Sequence, residues 1–407
     1  MAPITLLTVS SVLVAIAGLV CLYHMMLAVV GLCALAIRRA TAEPGCHSFA
    51  IVIPAHNEEQ TIQEALTSCR ALDYPTEKYD VYVIADNCSD RTADVASAGG
   101  VHCLVRQDEQ RRGKGFALQW AIPQVLAAGH DAVLVLDADC CIDANALRVF
   151  DRHLKAGHRV LQATNAVADP DESPLTYVLA LANTLENRLF YAPKSVLGLA
   201  VFLRGTGMVI HRDVLARHPW HAESIVEDAE YTCHLLRNGV RVYFAPETRV
   251  LSRFPVARKD LEIQRARWIG GGLRLGRTLG LRLLWQGLTT GRPRLLDAGW
   301  TIFILNRPLV IGQFVLASVA AAMSCWLAPG PWASLLMMAV AAVLSLYVVY
   351  CAAGVLLLGV TWKRIVNIAR APAVVARYLW LALRVMLHGG PTEWERTARP
   401  HELRETK

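Results

Sequence analysis

At 407 residues the chain has room for one large domain or two ordinary ones, and its hydrophobic share of 54% with a mean hydropathy of +0.34 is high for a soluble protein, which directs attention first to membrane segments. A formal charge of +7 suits anionic lipid, anionic substrate, nucleic acid or membrane topology, so its placement matters more than its sum. The eleven cysteines include no CxxC pair, no zinc-ligand spacing and no disulfide-framework density, which predicts reduced packing residues.

From Ile4 to Ile37 there is no Asp, Glu, Lys or Arg, and the run ends in Arg38-Arg39. At about 1.5 Å per residue it crosses a bilayer with turns to spare, as one or two segments within 1–40. A signal peptide would need a positive start, a shorter apolar core and a small-residue cleavage site. The basic flank predicts a cytoplasmic location for the segment C-terminal to it. Between 45 and 255, β-rich runs such as "SFAIVIPAH", "YDVYVIAD", "VHCLV" and "DAVLVLDAD" alternate with helical stretches. That alternation predicts an α/β domain with a parallel sheet, crossover helices and ligand sites at the C-terminal strand ends. Residues 256–298 are rich in Arg with Leu and Trp interleaved, the pattern of a basic amphipathic segment in the membrane interface rather than a nucleic-acid surface. Apolar runs at 300–325 and 333–360, joined by "LAPGPW", predict a transmembrane hairpin within 299–360. In 361–407, Lys363-Arg364 returns the chain to the cytoplasm, and 373–387, with Arg377 and Arg384, reads as an interfacial helix before the tail.

Four polar clusters fall in the soluble-looking segment: "PAHNEE" (54–59), "ADNCSDRT" (85–92), "DAD" (137–139) and "VEDAEYTCHLLRNG" (226–239). Singly each has a plain explanation, since Asn57, Glu58, Ser89 and Asp90 suit helix starts and Asp137 and Asp139 suit a solvated turn. Together, at successive strand ends, they suggest a site. Two carboxylates one residue apart converge on a hard divalent cation, which brings phosphates with it. Gly113-Lys114-Gly115 is not a phosphate-binding Walker loop, because Gly115 stands where Ser or Thr belongs. His56, His211, His221 and His234 have no metal-ligand spacing and read as loop or helix-surface residues, and Cys140 and Cys141 as packing neighbours.

In their order, Pro54-Ala55-His56-Asn57-Glu58, Asp86-Asn87, Asp137-Ala138-Asp139, Gly205-Thr206-Gly207, Glu227-Asp228 and Gln264-Arg265-Ala266-Arg267-Trp268 resemble membrane-bound family 2 glycosyltransferases, the group of cellulose, chitin-oligosaccharide and hyaluronan synthases. The resemblance runs from about Phe49 to Trp268 and implies a GT-A nucleotide-sugar fold, Rossmann-like, with α-helical transmembrane segments. It implies that Pro54, Ala55, Asn57, Glu58 and Asp86 hold the uracil and ribose of a UDP-sugar, with Arg112 and Lys114 on the other side of the nucleotide. It places Asp137 on the donor, Asp139 on Mg²⁺ or Mn²⁺, and Asp228 as general base with Glu227 the nearest competitor. Gly205 and Thr206 line the acceptor site, and Gln264, Arg267 and Trp268 close over the diphosphate and acceptor. Inverting transfer is one in-line displacement, needing a base on the acceptor hydroxyl and positive charge on the leaving diphosphate.

Two departures stand out. Arg204 precedes Gly205 where the polymer synthases often have cysteine, and three expected spans are too few to wrap a polymer channel in one chain. The expectation is therefore a multi-pass protein of the inner membrane, its catalytic domain cytoplasmic, extending an exopolysaccharide or oligosaccharide as a homo-oligomer, or else glycosylating a lipid-linked acceptor without processivity. A non-catalytic membrane scaffold would have no need of the carboxylates.

Overall fold

Eight strands form one sheet: β1 (Phe49–Ala55), β2 (Tyr79–Asp86), β3 (His102–Arg106), β4 (Ala132–Val135), β5 (Cys140–Ile142), β6 (Val160–Val167), β7 (Met208–His211) and β8 (Val242–Ser252). The near-continuous apolar runs of β1, β4 and β7 are buried along their length, as strands covered on both faces must be. The computed structural model describes residues 2–34, 46–221, 224–253 and 258–390. Strand order is β3-β2-β1-β4-β7-β6-β8-β5. Strands β1 to β4 run parallel, but β7 is antiparallel to β4 and β6, and β5 to β8, so the sheet is mixed where the alternation predicts a parallel one. Periodicity reveals that a strand exists and not its direction. The chain leaves β4 through a turn rather than a crossover helix, which takes β5 to the far edge of the sheet.

By its contacts the chain forms two units. One comprises Arg39–Asp169, Ser195–Gly299 and Gly390–Lys407 and holds the sheet, with its core around Phe49, Ile51, Leu134, Phe150 and Val209. The helices Arg258–Leu275 and Leu281–Thr289 belong to this unit, so the basic segment expected as a separate interfacial element is grouped with the sheet.

The other unit comprises Met1–Arg38, Pro170–Lys194 and Trp300–Gly389. Four of its helices are long and apolar enough to cross a membrane, within Ile4–Cys33, Arg307–Leu327, Pro331–Leu358 and Trp362–His388. The expected apolar run from 300 is broken after Ile304, because Pro308 favours a fresh helix start and Asn306 takes extended backbone as its cap. The last helix is 27 residues long rather than confined to 373–387, starts on Thr361, and ties Arg364 to Asp171 at 2.8 and 3.1 Å. Residues 391–407 of the expected tail, and 35–45 between helix and sheet, lie outside the described residues. The helix Pro174–Glu186 falls inside the stretch expected to be catalytic. It packs instead against the apolar helices, and Gly354 admits Leu185 to a place where a Cβ would lie 2.4 Å from its Cδ2.

Candidate active site

At the ends of β1 and β2 two asparagines, Asn57 and Asn87, adopt left-handed backbone (φ 55° and 51°), a conformation Asn tolerates better than most residues. Asn57 Oδ1 accepts Ser89 N–H at 2.8 Å, and Glu58 N–H donates to Thr92 Oγ1 at 2.8 Å, so the "PAHNEE" and "ADNCSDRT" loops are stitched together. Pro54 and Ala55 pair in register with Ile84 and Ala85 on the neighbouring strand. Asp86 is buried at the last position of β2. Its Oδ1 receives Arg106 Nη1 at 2.5 Å and Asn87 Nδ2 at 3.0 Å, while among the described residues no hydrogen bond reaches Oδ2. Arg106 also donates to Asp108 and to the Arg111 carbonyl, both at 2.8 Å, and thereby fixes the loop that leads to Lys114.

The "DAD" segment is a turn. Cys140 N–H donates to the Asp137 carbonyl at 3.1 Å, reversing the chain between β4 and β5 and bringing both carboxylates to one side. Lys114, first residue of the helix Lys114–Ala127, donates to Asp137 Oδ1 at 2.5 Å and to the Gly205 carbonyl at 2.8 Å. Thr206 Oγ1 accepts the Asp137 N–H at 3.1 Å. The fully buried Gln162 pins this loop, donating to the Thr206 carbonyl at 2.9 Å and accepting Arg204 N–H at 2.8 Å. Gly205 (φ 79°) leaves a gap that a Cβ would fill at 3.3 Å from Lys114 Nζ and 3.4 Å from Asp228 Oδ2.

Glu227 and Asp228 begin the helix Glu227–Arg237, and Asp228 Oδ1 accepts Ala229 N–H at 2.7 Å. Burial and then the charge of Asp228 push Glu227 up. Burial also raises Asp228, against the pull of Lys114. Burial pulls Lys114 down, but Asp137, Glu227 and Asp228 outweigh it and raise the ammonium. Burial lowers Arg267, opposed by Glu227 and Asp137, so its guanidinium, still a cation, faces the same carboxylates. No ion pair within 4 Å is formed by Arg267 among the described residues. Gln264 Oε1 is buried and accepts no hydrogen bond among the described residues. Gly271 lets this helix approach the start of the helix Glu227–Arg237, since a Cβ there would meet Val226 Cγ1 at 2.5 Å.

The donor set suits a hard divalent cation. Carboxylate oxygens of Asp137 and Asp139 lie within 4.8 Å of each other and of Cys140 Sγ. Burial, then Asp139 and Asp137, hold the Cys140 thiol well above its ordinary value. Lys114 holds Asp137 Oδ1 at 2.5 Å, and Cys140 Sγ lies 3.5 Å from Asp139 Oδ1.

Of the sequence-predicted residues, Lys114, Asp137, Gly205 and Asp228 thus meet directly. Thr206 supports them and Glu227 and Arg267 act on them electrostatically. Arg112 is exposed and makes no hydrogen bond or ion pair among the described residues, and Trp268 is 40% exposed with Arg265 over its ring at 4.8 Å. His211, expected at the surface, is buried and caps the helix Arg212–Arg217 by accepting Asp213 N–H. Sequence reasoning missed Arg106 and Gln162. The available signals were a charged residue ending the β3 run and an amide early in β6.

Residues 44–271 match the family described as "Glycosyltransferase like family 2". A β-monoglucosyldiacylglycerol synthase from Trichormus variabilis is 28% identical over 259 residues, covering 58% of this chain and 53% of the relative. A poly-β-1,6-N-acetyl-D-glucosamine synthase from Staphylococcus aureus is 26% identical over 234 residues, covering 54% and 53%. The chain spans about half the length of these curated relatives. A solved mannosyltransferase from Pyrobaculum calidifontis, in complex with GDP-mannose and Mn²⁺, shares the fold at a TM-score of 0.60 and 18% identity, covering 94% of this chain and 99% of its own.

Proposed function

The chain belongs to glycosyltransferase family 2, and from that premise we propose that it is a membrane-bound inverting enzyme moving a sugar from a UDP-sugar to a growing glycan, in bacterial exopolysaccharide or oligosaccharide synthesis. The observation that carries the reading is the convergence of Lys114, Asp137 and Asp228 around Gly205. In-line displacement needs a base on one side of the reacting carbon and cations on the other. Asp228 takes the proton of the acceptor hydroxyl, its basicity raised by burial. Glu227 adds negative charge that keeps Lys114 protonated. Lys114 orients Asp137 toward the donor, and Arg267 meets the charge that builds on the departing diphosphate. Mg²⁺ or Mn²⁺ on Asp139 would neutralise that diphosphate when bound. Asp86, with Pro54, Ala55, Asn57 and Glu58, receives uridine through the Oδ2 that Arg106 leaves open. Gln264 and Trp268 border the acceptor.

Four long apolar helices anchor the chain in the inner membrane with the catalytic unit cytoplasmic, and a homo-oligomer would be required to enclose a polymer path. A second reading, transfer to a lipid or lipid-linked acceptor, is favoured by this small number of candidate spans and by the 28% identity to a glycolipid synthase. Radiolabelled UDP-sugars supplied to the purified protein in lipid, followed by sizing and phase partition of the product, separate the two. Aqueous polymer supports the first and solvent-extractable label the second, while no transfer from any UDP-sugar in the presence of Mg²⁺ or Mn²⁺ would refute both.

A further inference from the structure

Cys46, His47 and Asp151 bring three unlike donors to one point, although Cys46 and His47 precede β1 and Asp151 lies on the helix Ala146–Lys155. Cys46 Sγ lies 3.3 Å from His47 Nδ1 and 3.4 Å from Asp151 Oδ1, and His47 Nδ1 lies 2.8 Å from the same Oδ1. Zinc bonds of roughly 2.3 Å to sulfur and 2.0–2.2 Å to nitrogen or oxygen, at tetrahedral angles, separate their ligand atoms by about 3.3–3.6 Å. Two of the three edges already have that length. The third, a hydrogen bond, opens by about half an ångström when a metal replaces its proton.

We propose that Cys46, His47 and Asp151 form a structural site for a borderline-soft divalent metal, Zn²⁺ by its thiolate, imidazole and carboxylate donors, with water in the fourth position. The surroundings are those of a supported site. Asp151 is 2% exposed, and its Oδ1 also accepts the N–H groups of Cys46 and His47 at 3.2 and 2.9 Å, while Lys155 holds Oδ2 at 3.1 Å. Tyr74 Oη donates to the His47 carbonyl at 2.8 Å, fixing the ligand backbone. Cys46 is exposed, which gives the ion an entry path and room for a water. Asp131, bonded to Ser48 N–H at 2.7 Å, adds negative charge nearby. The ion would clip the segment entering β1 to a helix about a hundred residues later in the chain. It differs from the proposed site at Asp137 and Asp139 in taking thiolate and imidazole rather than carboxylate oxygen alone.

The test is Co²⁺ titration of the chelator-treated full chain in detergent, read by the thiolate-to-cobalt charge-transfer absorption. One equivalent should produce the band, Zn²⁺ should displace it, and Zn²⁺ should raise the thermal unfolding midpoint. Cys46→Ala should abolish the band and the midpoint shift, His47→Gln should weaken cobalt binding at least tenfold, and Cys140→Ala should leave the band intact. Absence of the band in the native chain, its survival in Cys46→Ala, or its loss in Cys140→Ala alone overturns the proposal.

Discussion

Lys114 Nζ joins Asp137 Oδ1, at 2.5 Å, to the Gly205 carbonyl, at 2.8 Å, so that one ammonium ties the strand-end turn to the loop that precedes β7. Removing it leaves Asp137 facing Glu227 and Asp228 without its counter-charge. Lys114→Ala is expected to lower kcat/KM by about a hundredfold, the usual scale for losing one aligned electrostatic partner. Lys114→Arg should fail to restore it, because a planar fork does not replace a compact ammonium with two fixed acceptors. Initial rates with the best UDP-sugar decide the matter.

Asp228→Asn should reduce transfer by at least a hundredfold, within the usual range for a general base, while donor affinity measured by calorimetry changes little. Glu227→Gln, with the second carboxylate charge gone, should cost less. Since burial raises Asp228, its working form is lost at higher pH than for an exposed aspartate, ordinarily near 3.9, so the acid limb of the rate profile lies above that of an exposed aspartate. A flat profile down to about pH 4 would place the base elsewhere.

Arg106 and Asp86 are 5% and 6% exposed, so Arg106→Ala strands a buried carboxylate. A loss of about 3–5 kcal/mol in the stability of the catalytic unit is expected, read by denaturant unfolding. Donor affinity should fall with it, since the loop from Asp108 to Arg111 loses its anchor.

His158 stacks on Tyr243 at a centroid distance of 3.5 Å and is held at about 4 by burial and by the charges of His153 and Arg241. Its folded value lies below the ordinary 6.5, so the unfolded chain binds the extra proton. Stability from this group is therefore full above about pH 6.5 and declines as pH falls from there toward 4. His158→Phe, which keeps the ring over Tyr243, should flatten the dependence of the thermal midpoint between pH 7 and 5. An unchanged slope would assign that dependence to other groups.

Most of the catalytic unit was legible because its strands are short apolar runs ended by polar clusters. The aspartates of the "DAD" turn could be located for the same reason. The 3.1 Å bond from Cys140 N–H to the Asp137 carbonyl makes the turn there, and the turn gathers the carboxylates. The features that stayed hidden depend on partners distant in sequence. Arg106 looks like the end of a strand and Gln162 like an interruption of one until Asp86 and the Thr206 carbonyl lie beside them. Strand direction is absent from periodicity, which is why β7 came out reversed. Cys46-His47 carries no metal-site spacing because its third member lies on another element.

The excursion at Pro170–Lys194 has a practical consequence for dissecting the protein. The chain leaves the catalytic unit after β6, contributes a helix to the apolar unit, and returns before β7, so neither unit is a continuous stretch. Cutting at the termini cannot release a water-soluble enzyme. Deleting 1–40 and everything after 299 would still leave Leu185 and Leu189, buried among apolar neighbours in the whole chain, stripped of their cover. A soluble version would have to excise 170–194 as well and bridge β6 to β7 with a polar linker.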